Sequence, residues 1–357
     1  MLLTNCLIPQ ALRINDFFIF SLTTVKLYNS SIDTFAALAA SGKMIKQDYK
    51  MKFSITRIQL GSLFAICSAF LFSTKAIFIK QTYALSPLVD ATLLMALRMA
   101  SALPFFLVIC WLNRHRNQDI RPREWLLLVL AGILGYYLAS WLDFLGLMFI
   151  SASLERIILF LYPTLTVLAS SLIYRQKLAP KMLFAILLSY SGTVLVMLQE
   201  HQSGPENSLW LGAGLVFASA VAFSAYLLLT PHLIHKFGSW NFTGLALSVA
   251  CSGTLIHYFL ATPQPLVLIT QLPASVIWYG IALGILVTVL PTILLMQSIE
   301  RLGAAQSAMI ASIGPILTLL LAVVFLDEYL NGWQWLGCIL NIVGVMIITL
   351  SKRKLQH

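Results

Sequence analysis

The chain has 357 residues, of which 59% are apolar and 10% are charged, and its mean hydropathy is +0.87. Soluble domains are about one quarter charged, so this composition excludes an ordinary soluble fold and predicts a protein that crosses the lipid bilayer many times. The formal net charge is +10, but the basic residues lie in short clusters between apolar runs, not on one amphipathic face. This distribution excludes nucleic acid as a partner.

Residues 1–50 differ from the rest of the chain. Their one apolar patch, at residues 17–25, is too short to cross about 30 Å of hydrocarbon, and their order of charged and apolar residues is not that of a signal peptide. Met51 opens a stretch that reads like a natural start. We expect residues 1–50 to be either upstream sequence read from a misplaced start codon or an extension that is disordered or lies on a surface.

Ten apolar segments follow, and each has approximately the length that a membrane-spanning helix needs. The connections between them are short and charged, or rich in Pro and Gly. The sequence therefore predicts an all-α polytopic membrane protein with ten transmembrane helices. The segments are residues 59–80, 88–112, 125–149, 152–174, 181–199, 208–230, 239–261, 274–297, 302–326 and 332–350.

The Lys and Arg residues predict the orientation of these helices. They cluster at residues 43–57, 114–123, 175–181 and 352–354, which all fall on one side of the membrane. The longest connections on the other side, at 199–208 and 262–274, contain no Lys or Arg. Because basic loops stay in the cytoplasm, we expect a multi-pass protein of the cell (inner) membrane with both termini cytoplasmic.

The chain aligns with itself at an offset of about 152 residues. Gly132 falls on Gly284, Pro163 on Pro315, and similar matches continue along both halves. The sequence thus predicts two five-helix repeats, at residues 51–199 and 208–351. Since five crossings are an odd number, the second repeat must be inverted, an arrangement that places a substrate site near the midplane and supports alternating access. The alternative is a duplication that only builds a stable bundle.

Two stretches carry a family resemblance: LGLMFISASLERIILFLYPTLTVL at 145–168 and IERLGAAQSAMIASIGPILTLLLAVVFLDEYL at 299–330. They resemble EamA-type transporters of the drug/metabolite transporter superfamily, and the resemblance covers about residues 58–351. It implies export or exchange of small metabolites, often amino acids or drugs, through a central cavity. The first half departs from the family pattern at Glu155-Arg156 and at Arg175-Gln176.

The fourth segment carries a polar stripe at helical spacing, formed by Glu155, Tyr162, Thr166 and Ser170. The equivalent positions of the ninth segment include the small residues Ser307 and Gly314, and also Thr318. Two alternatives explain the paired stripes: they are two walls of a substrate cavity, or they allow close helix packing. Tyr226, the repeat counterpart of Lys75, is a candidate for the opposite cavity wall.

Four ionisable residues of three segments are predicted to lie at a similar depth in the outer part of the membrane. They are Lys75, Asp143, Glu155 and Arg156. Charges within the membrane are expensive and are functional candidates by default. We therefore expect a charge network that acts as a gate, with a proton site as a further role. The alternative is an ion-paired clamp that only fixes helix packing.

Arg98, midway along the second segment, is either a packing partner or a contact for an anionic substrate group. Pro163, Pro291 and Pro315 lie inside segments, where proline bends a helix, and are hinge candidates. Gly337 and Gly344 mark a close-packing face of the tenth segment. That face serves either internal packing or a homodimer contact.

The sequence contains neither a nucleotide-binding loop of the GxxxxGK[ST] type nor an HExxH metal motif, and its five cysteines are scattered singly. It therefore predicts no cofactor, no metal and no enzymatic activity. We expect a secondary transporter that exports a small amino-acid-like or drug-like molecule. The alternatives are a membrane scaffold or sensor that does not transport, and an intramembrane enzyme.

Overall fold

The structure, a computed structural model, describes residues 57–114, 120–175, 178–200 and 206–354. The predicted extension at residues 1–50 lies outside these ranges. Within them, every regular element is a helix. Many large apolar side chains on the helices, such as Phe184 and Leu187, are exposed, as expected where a helix faces lipid and not water.

Ten helices correspond to the ten predicted segments. They are α1 (Arg57–Ser73 and Lys75–Leu85), α2 (Ala91–Leu112), α3 (Pro122–Gly132, the π-helix Ile133–Leu138 and Ala139–Gly146), α4 (Ala152–Leu159 and Tyr162–Tyr174), α5 (Pro180–Leu198), α6 (Glu206–Phe237), α7 (Ser239–Ala261), α8 (Ala274–Gly284, the π-helix Ile285–Val289 and Leu290–Leu302), α9 (Ala304–Ala311 and Gly314–Phe325) and α10 (Gly332–Lys354). Among the described residues, α1 to α9 are long and apolar enough to cross a membrane, and α10 has a shorter apolar part, Gly332–Ile348. The predicted all-α polytopic fold is confirmed.

Some helix ends differ from the prediction. α1 continues to Leu85, beyond the predicted end at residue 80, because Thr82 is buried and its hydroxyl donates to the Phe78 carbonyl at 2.6 Å. α6 continues through Pro231 to Phe237, since neighbouring helices can compensate for the backbone bond that a proline removes. The predicted loop between α7 and α8 contains a short helix, Pro265–Thr270.

The contacts between the two halves follow a two-fold pattern. α1 packs against α8 as α3 packs against α6, whereas α2 pairs with α7, α4 with α9 and α5 with α10. When each helix is replaced by its counterpart in the other half, the pair α1–α8 becomes α6–α3. The pairs α2–α7, α4–α9 and α5–α10 remain the same. With five crossings in each half, equivalent helices run in opposite directions. The predicted inverted repeat is confirmed.

Irregular backbone recurs at equivalent positions of the two halves. The π-helices Ile133–Leu138 and Ile285–Val289 begin 152 residues apart. α4 is interrupted at residues 160–161 and α9 at 312–313. α4 and α9 are followed by Arg175 and Asp327, both with φ of 52°. A repeated deviation from the regular helix indicates a requirement of the fold, because chance distortions would not coincide.

Four serine hydroxyls join the halves at these irregular points, and we call these contacts the four serine bonds. Each hydroxyl of α1 or α6 donates to a carbonyl next to a π-helix or an interruption, where the regular helix pattern is disturbed and carbonyls need other partners. The bonds form two equivalent pairs: Ser68 to Pro291 at 2.7 Å with Ser219 to Ala139 at 2.7 Å, and Ser73 to Gly314 at 2.9 Å with Ser224 to Tyr162 at 3.0 Å. The hydroxyls of the second pair share their proton with the Ala69 and Ala220 carbonyls of their own helices, each at 2.7 Å.

The glycine face of α10 packs within the chain. A Cβ atom added to Gly337 would lie 2.6 Å from the Gly192 carbonyl oxygen of α5, and one added to Gly344 would lie 2.6 Å from the Ala185 carbonyl oxygen. Both distances are too short for a real side chain. The structure thus shows the internal-packing alternative for this face.

The two sides of the helix bundle are distinguished by the chain ends. Both ends of the described chain, at Arg57 and Lys354, lie on one side, which we call the terminal side. The opposite side, which holds the connections α1–α2, α3–α4, α5–α6, α7–α8 and α9–α10, is the distal side.

Candidate functional site

The site begins with the interruption of α1. Thr74 separates the two parts of α1, and its hydroxyl donates to the Leu71 carbonyl at 2.7 Å. Lys75 is the first residue of the distal part, Lys75–Leu85. A cation at the N-terminus of a helix faces the positive end of the helix dipole, which is unfavourable. Lys75 therefore needs carboxylates close by.

Two carboxylates meet this need. The Lys75 Nζ atom lies 2.6 Å from Asp143 Oδ2 of α3 and 3.4 Å from Glu155 Oε1 of α4. The side chain of Lys75 is 15% exposed, and those of Asp143 and Glu155 are 2% and 0% exposed. One ammonium is thus shared by two buried carboxylates, and the contact joins three helices of the first half.

Glu155 and Arg156 occupy the first turns of α4. A negative charge there is favoured by the helix dipole, which is consistent with the complete burial of Glu155. Arg156 is half-buried, and its Nη2 atom lies 3.4 Å from the Phe72 carbonyl of α1. The structure therefore brings together all four residues of the predicted charge network. We keep the name charge network for Lys75, Asp143, Glu155 and Arg156.

The charge network retains hydrogen-bonding capacity. Among the described residues, Asp143 Oδ1, Glu155 Oε2 and Arg156 Nε are buried and meet no geometric criterion for a hydrogen bond. Glu155 Oε1 has the ionic contact with Lys75 at 3.4 Å, and the carboxyl groups of Asp143 and Glu155 also interact with each other. Buried polar atoms without partners are rare and costly in folded proteins. The network therefore retains both acceptor and donor atoms that the described side chains satisfy incompletely.

Arg98 is 6% exposed and lies beside the network. Its Nε atom donates to Thr288 Oγ1 at 2.8 Å, and its guanidinium lies 5.3 Å from the centre of the Phe144 ring. Thr288 belongs to the π-helix of α8 and donates to the Leu283 carbonyl at 2.8 Å. These contacts are those of the packing alternative. Arg98 Nη1 has no hydrogen-bond partner among the described residues.

The repeat counterparts of the charge network are uncharged. Tyr226 corresponds to Lys75, and its hydroxyl lies 3.1 Å from that of Tyr136. Its ring stacks on Phe242 with 6.1 Å between centroids, and Phe223, 5.1 Å from the Tyr162 ring, continues the group. Because the halves are inverted, charges lie in the distal part and these rings in the terminal part. The two ends of the site thus differ in chemistry.

The two stripes also differ. Tyr162, Thr166 and Ser170 of α4 are half-buried. The residues of α9 are buried: the Ser307 hydroxyl lies 2.8 Å from that of Ser298, Gly314 accepts from Ser73, and the Thr318 hydroxyl donates to the Ser73 carbonyl at 3.3 Å. α9 thus shows the contacts of the packing alternative, and α4 offers the more accessible wall.

The three predicted hinge prolines lie at breaks in the helices. Pro163 and Pro315 are the second residues of the parts of α4 and α9 that follow the interruptions. Pro291 is the second residue after the π-helix of α8. For Pro163 and Pro315 the missing N–H falls in the first turn after an interruption, where a proline is well tolerated. Pro291 instead follows a π-helix that continues directly into the α-helix.

Sequence reasoning missed several residues that hold the site. Thr288 and Phe144, which contact Arg98, belong to apolar runs and carry no pattern of their own. Glu328 lies in the stretch at 299–330 that carries the family resemblance, and its carboxylate accepts three hydrogen bonds from the start of α4. These contacts join residues far apart in the chain, so periodicity cannot reveal them.

The described residues form ten helices, nine of them long and apolar enough to cross a membrane, in two inverted repeats, with a buried charge network in the first repeat. This architecture is typical of membrane transporters. The chain belongs to the EamA-like transporter family, whose model matches residues 59–198 and 210–350. The predicted resemblance is confirmed. Membership of this family points to a transporter and not to an enzyme.

Several curated proteins and solved structures are similar to the chain. "Uncharacterized transporter YcbK" of Bacillus subtilis (strain 168) is 28% identical over 83% of this chain and 94% of its own length. "Uncharacterized inner membrane transporter YicL" of Salmonella typhimurium is 25% identical over 57% of this chain and 66% of its own length. A solved structure described as "Crystal structure of protein" has a TM-score of 0.54 and 23% identity, and covers 83% of this chain and 99% of that chain. It supports the fold.

Proposed function

We propose that this protein is a secondary transporter that exports a small zwitterionic metabolite, of amino-acid-like or drug-like size, by alternating access. The observation that carries the proposal is the charge network, which holds buried carboxylate oxygens and a buried guanidinium nitrogen whose hydrogen-bonding capacity the described residues do not fully use. The ammonium group of a ligand would pair with the carboxylate oxygens, and the carboxylate group of the ligand would pair with the guanidinium nitrogen. The half-buried Tyr162, Thr166 and Ser170 of α4 form a wall for the remainder of the ligand.

The inverted repeat supplies a mechanism for moving such a ligand. Two similar halves of opposite direction can exchange their conformations, which opens one side of the site and closes the other. The uncharged counterparts of the network, around Tyr226, offer weaker electrostatic attraction to a charged ligand. A ligand is therefore held more strongly at the distal end in one conformation than at the terminal end in the other. The two conformations thus differ in ligand affinity, whereas the direction of net flux is set by the gradient that drives transport.

The charge network also suggests proton coupling. A proton on Asp143 or Glu155 neutralises a carboxylate that contacts Lys75, and this weakens the attraction between that carboxyl group and the Lys75 ammonium. Among the described residues, the titratable and charged groups that interact with Asp143, Glu155 or Arg156 include Lys75, Tyr83, Arg98 and Tyr162. We propose that ligand ammonium, proton and Lys75 compete for the same two carboxylates.

The test replaces each carboxylate with its isosteric amide. We expect Asp143→Asn and Glu155→Gln each to reduce flux in reconstituted vesicles by at least about tenfold, the effect of one lost charge-assisted contact, and to flatten the dependence of flux on pH. The ligands to be tested come from a comparison of metabolites between cells that overexpress the protein and cells that lack it.

Asp90→Asn is the matched control for these variants. Asp90 also lies on the distal side, but it caps α2 by accepting from the Leu93 N–H at 2.7 Å, and asparagine caps a helix equally well. This variant should transport like the wild type. Flux and pH dependence unchanged in both Asp143→Asn and Glu155→Gln would reject the gate and the proton site in favour of a packing clamp.

We further propose that the terminal side faces the cytoplasm of a cell (inner) membrane. Arg121, Arg123 and Lys181 are exposed on this side, and basic residues in short loops remain cytoplasmic. Green fluorescent protein fused after His357 should fluoresce, and alkaline phosphatase at the same position should be inactive. Fusions after Glu200, on the distal side, should give the opposite pair of results; the same pair at both positions contradicts the topology.

A further inference from the structure

The N-terminus of α4 is held by carboxylates from outside the helix. The first N–H groups of a helix have no partner within it. Here Ala152 N–H donates to Glu328 Oε1 at 2.7 Å and Ser153 N–H to Glu328 Oε2 at 3.0 Å, while the Ser153 hydroxyl donates to Oε2 at 2.6 Å. Ser151 N–H donates to Glu200 Oε1 at 3.1 Å. Ala152 and Ser153 are fully buried, so these bonds are shielded from water.

Glu328 reaches α4 because of the way in which α9 ends. The N–H groups of Leu326 and Glu328 both donate to the Ala322 carbonyl, at 3.0 Å and 3.3 Å, and Asp327 between them has φ of 52°. This left-handed turn is a common helix ending, and aspartate adopts it more readily than most residues. It turns the chain back, so that the Glu328 carboxylate meets the start of α4.

The contact joins the two halves of the protein next to the charge network. Glu328 follows α9 in the second half, whereas α4, which carries Glu155 and Arg156 in its first turns, belongs to the first half. α4 and α9 are repeat counterparts. Lys80 of α1 interacts electrostatically with both Glu328 and Glu200, so the first half contributes a further charge on the distal side. In the sequence, the first-half residue that aligns with Glu328 is Gln176, which is neutral.

We propose that Glu328 is a positioning residue that latches the distal side shut: its hydrogen bonds to Ala152 and Ser153 fix α4 while that side is closed and break when it opens. The latch rests on the proposed alternating access. Because its repeat counterpart is neutral, the latch stabilises the distal-closed conformation over the distal-open one. Weakening it shifts the population toward the distal-open conformation, in which the terminal side is closed.

Amide hydrogen exchange of the full chain tests the latch. In Glu328→Gln, an amide replaces the charged acceptor, so exchange at residues 151–155 should be about tenfold faster, the effect of one lost charge-assisted hydrogen bond. The population shift should also slow exchange at the first turn of α9, residues 304–307, on the terminal side. A purely structural cap cannot produce this second change, because local loosening does not protect the far side of the membrane.

Asp327→Asn is the matched control, since it removes the same charge from the same connection and asparagine also adopts the left-handed conformation. It should change neither region. If Glu328→Gln does not fold, Ser153→Ala, which removes the hydroxyl that donates to Glu328 Oε2, should show the same two changes at smaller size. Exchange that stays unchanged at 151–155, or that rises there without slowing at 304–307, overturns the latch. Flux of the wild-type protein is measured on the same preparation. Absence of flux contradicts the proposed transport function, whereas the exchange results alone test the latch.

Discussion

Replacement of Lys75 by methionine is expected to abolish flux and to lower the melting temperature of the solubilised protein by about 5–10 °C. Lys75 is the cation that both Asp143 and Glu155 contact. Methionine fills a similar volume but leaves two carboxylates buried beside each other, and breaking a buried ion pair costs about 3–5 kcal/mol. The measurements are flux in vesicles and thermal unfolding followed by tryptophan fluorescence.

A second substitution separates stability from transport. In Lys75→Met combined with Asp143→Asn, one of the opposing charges is gone, so the melting temperature should partly recover while flux stays absent. The control is Lys181→Met at the exposed start of α5, which should behave like the wild type. Full activity in Lys75→Met would show that the charge network is dispensable for transport. Recovered flux in the double variant would show that the charge network only fixes helix packing.

Gly284→Ala is expected to leave little folded protein. A Cβ atom at this position would lie 1.8 Å from Ser101 Oγ and 2.4 Å from the Arg98 carbonyl oxygen of α2. The serine hydroxyl can rotate, but the carbonyl belongs to a helix backbone, so α2 and α8 would have to separate. Overpacking of this kind costs about 1–3 kcal/mol or more, and the separation would also disturb the bond between Arg98 and Thr288. The measurement is the fraction of protein that remains monodisperse after heating.

The repeat and the open glycines supply matched comparisons for this variant. Gly132 is the counterpart of Gly284, and a Cβ there would lie 2.6 Å from the Ala246 carbonyl oxygen of α7, so Gly132→Ala should fail in the same way. Gly253 has nothing within 4 Å of an added Cβ. Gly253→Ala should be neutral or stabilising by about 0.5–1 kcal/mol, because alanine favours the helix. Equal survival of Gly284→Ala and Gly253→Ala would contradict the close approach of α2 and α8.

The sequence predicted the helices and their symmetry because both leave a mark at each position. Membrane spans are apolar runs, and the duplication preserved pairs such as Pro163 with Pro315. It also predicted that Lys75, Asp143, Glu155 and Arg156 meet, because charged side chains within a membrane face the interior of the helix bundle and pair with one another. Helix spacing then gave their depth, and the shared depth was sufficient to group them.

The remaining features depend on contacts that have no local pattern. The π-helices of α3 and α8 read as ordinary apolar helix, and Thr74, where α1 is interrupted, is neither Gly nor Pro. The pairing of Arg98 with Thr288 and of Glu328 with Ser153 requires knowledge of which helices are neighbours. The stripe of α9 could not be assigned from sequence, because small residues suit a cavity wall and a close helix contact equally well.

The four serine bonds have a thermodynamic consequence. Exchange of the two halves carries each bond onto its twin, so a change of conformation that swaps the halves breaks and forms equivalent bonds, and their net contribution to the equilibrium constant between the two conformations is close to zero. Under the proposed alternating access, that constant depends on residues that have no twin, which include the charge network and Glu328. Substitution of both members of a twin pair should therefore change the rate of interconversion, whereas substitution of an unmatched side chain should change the resting population.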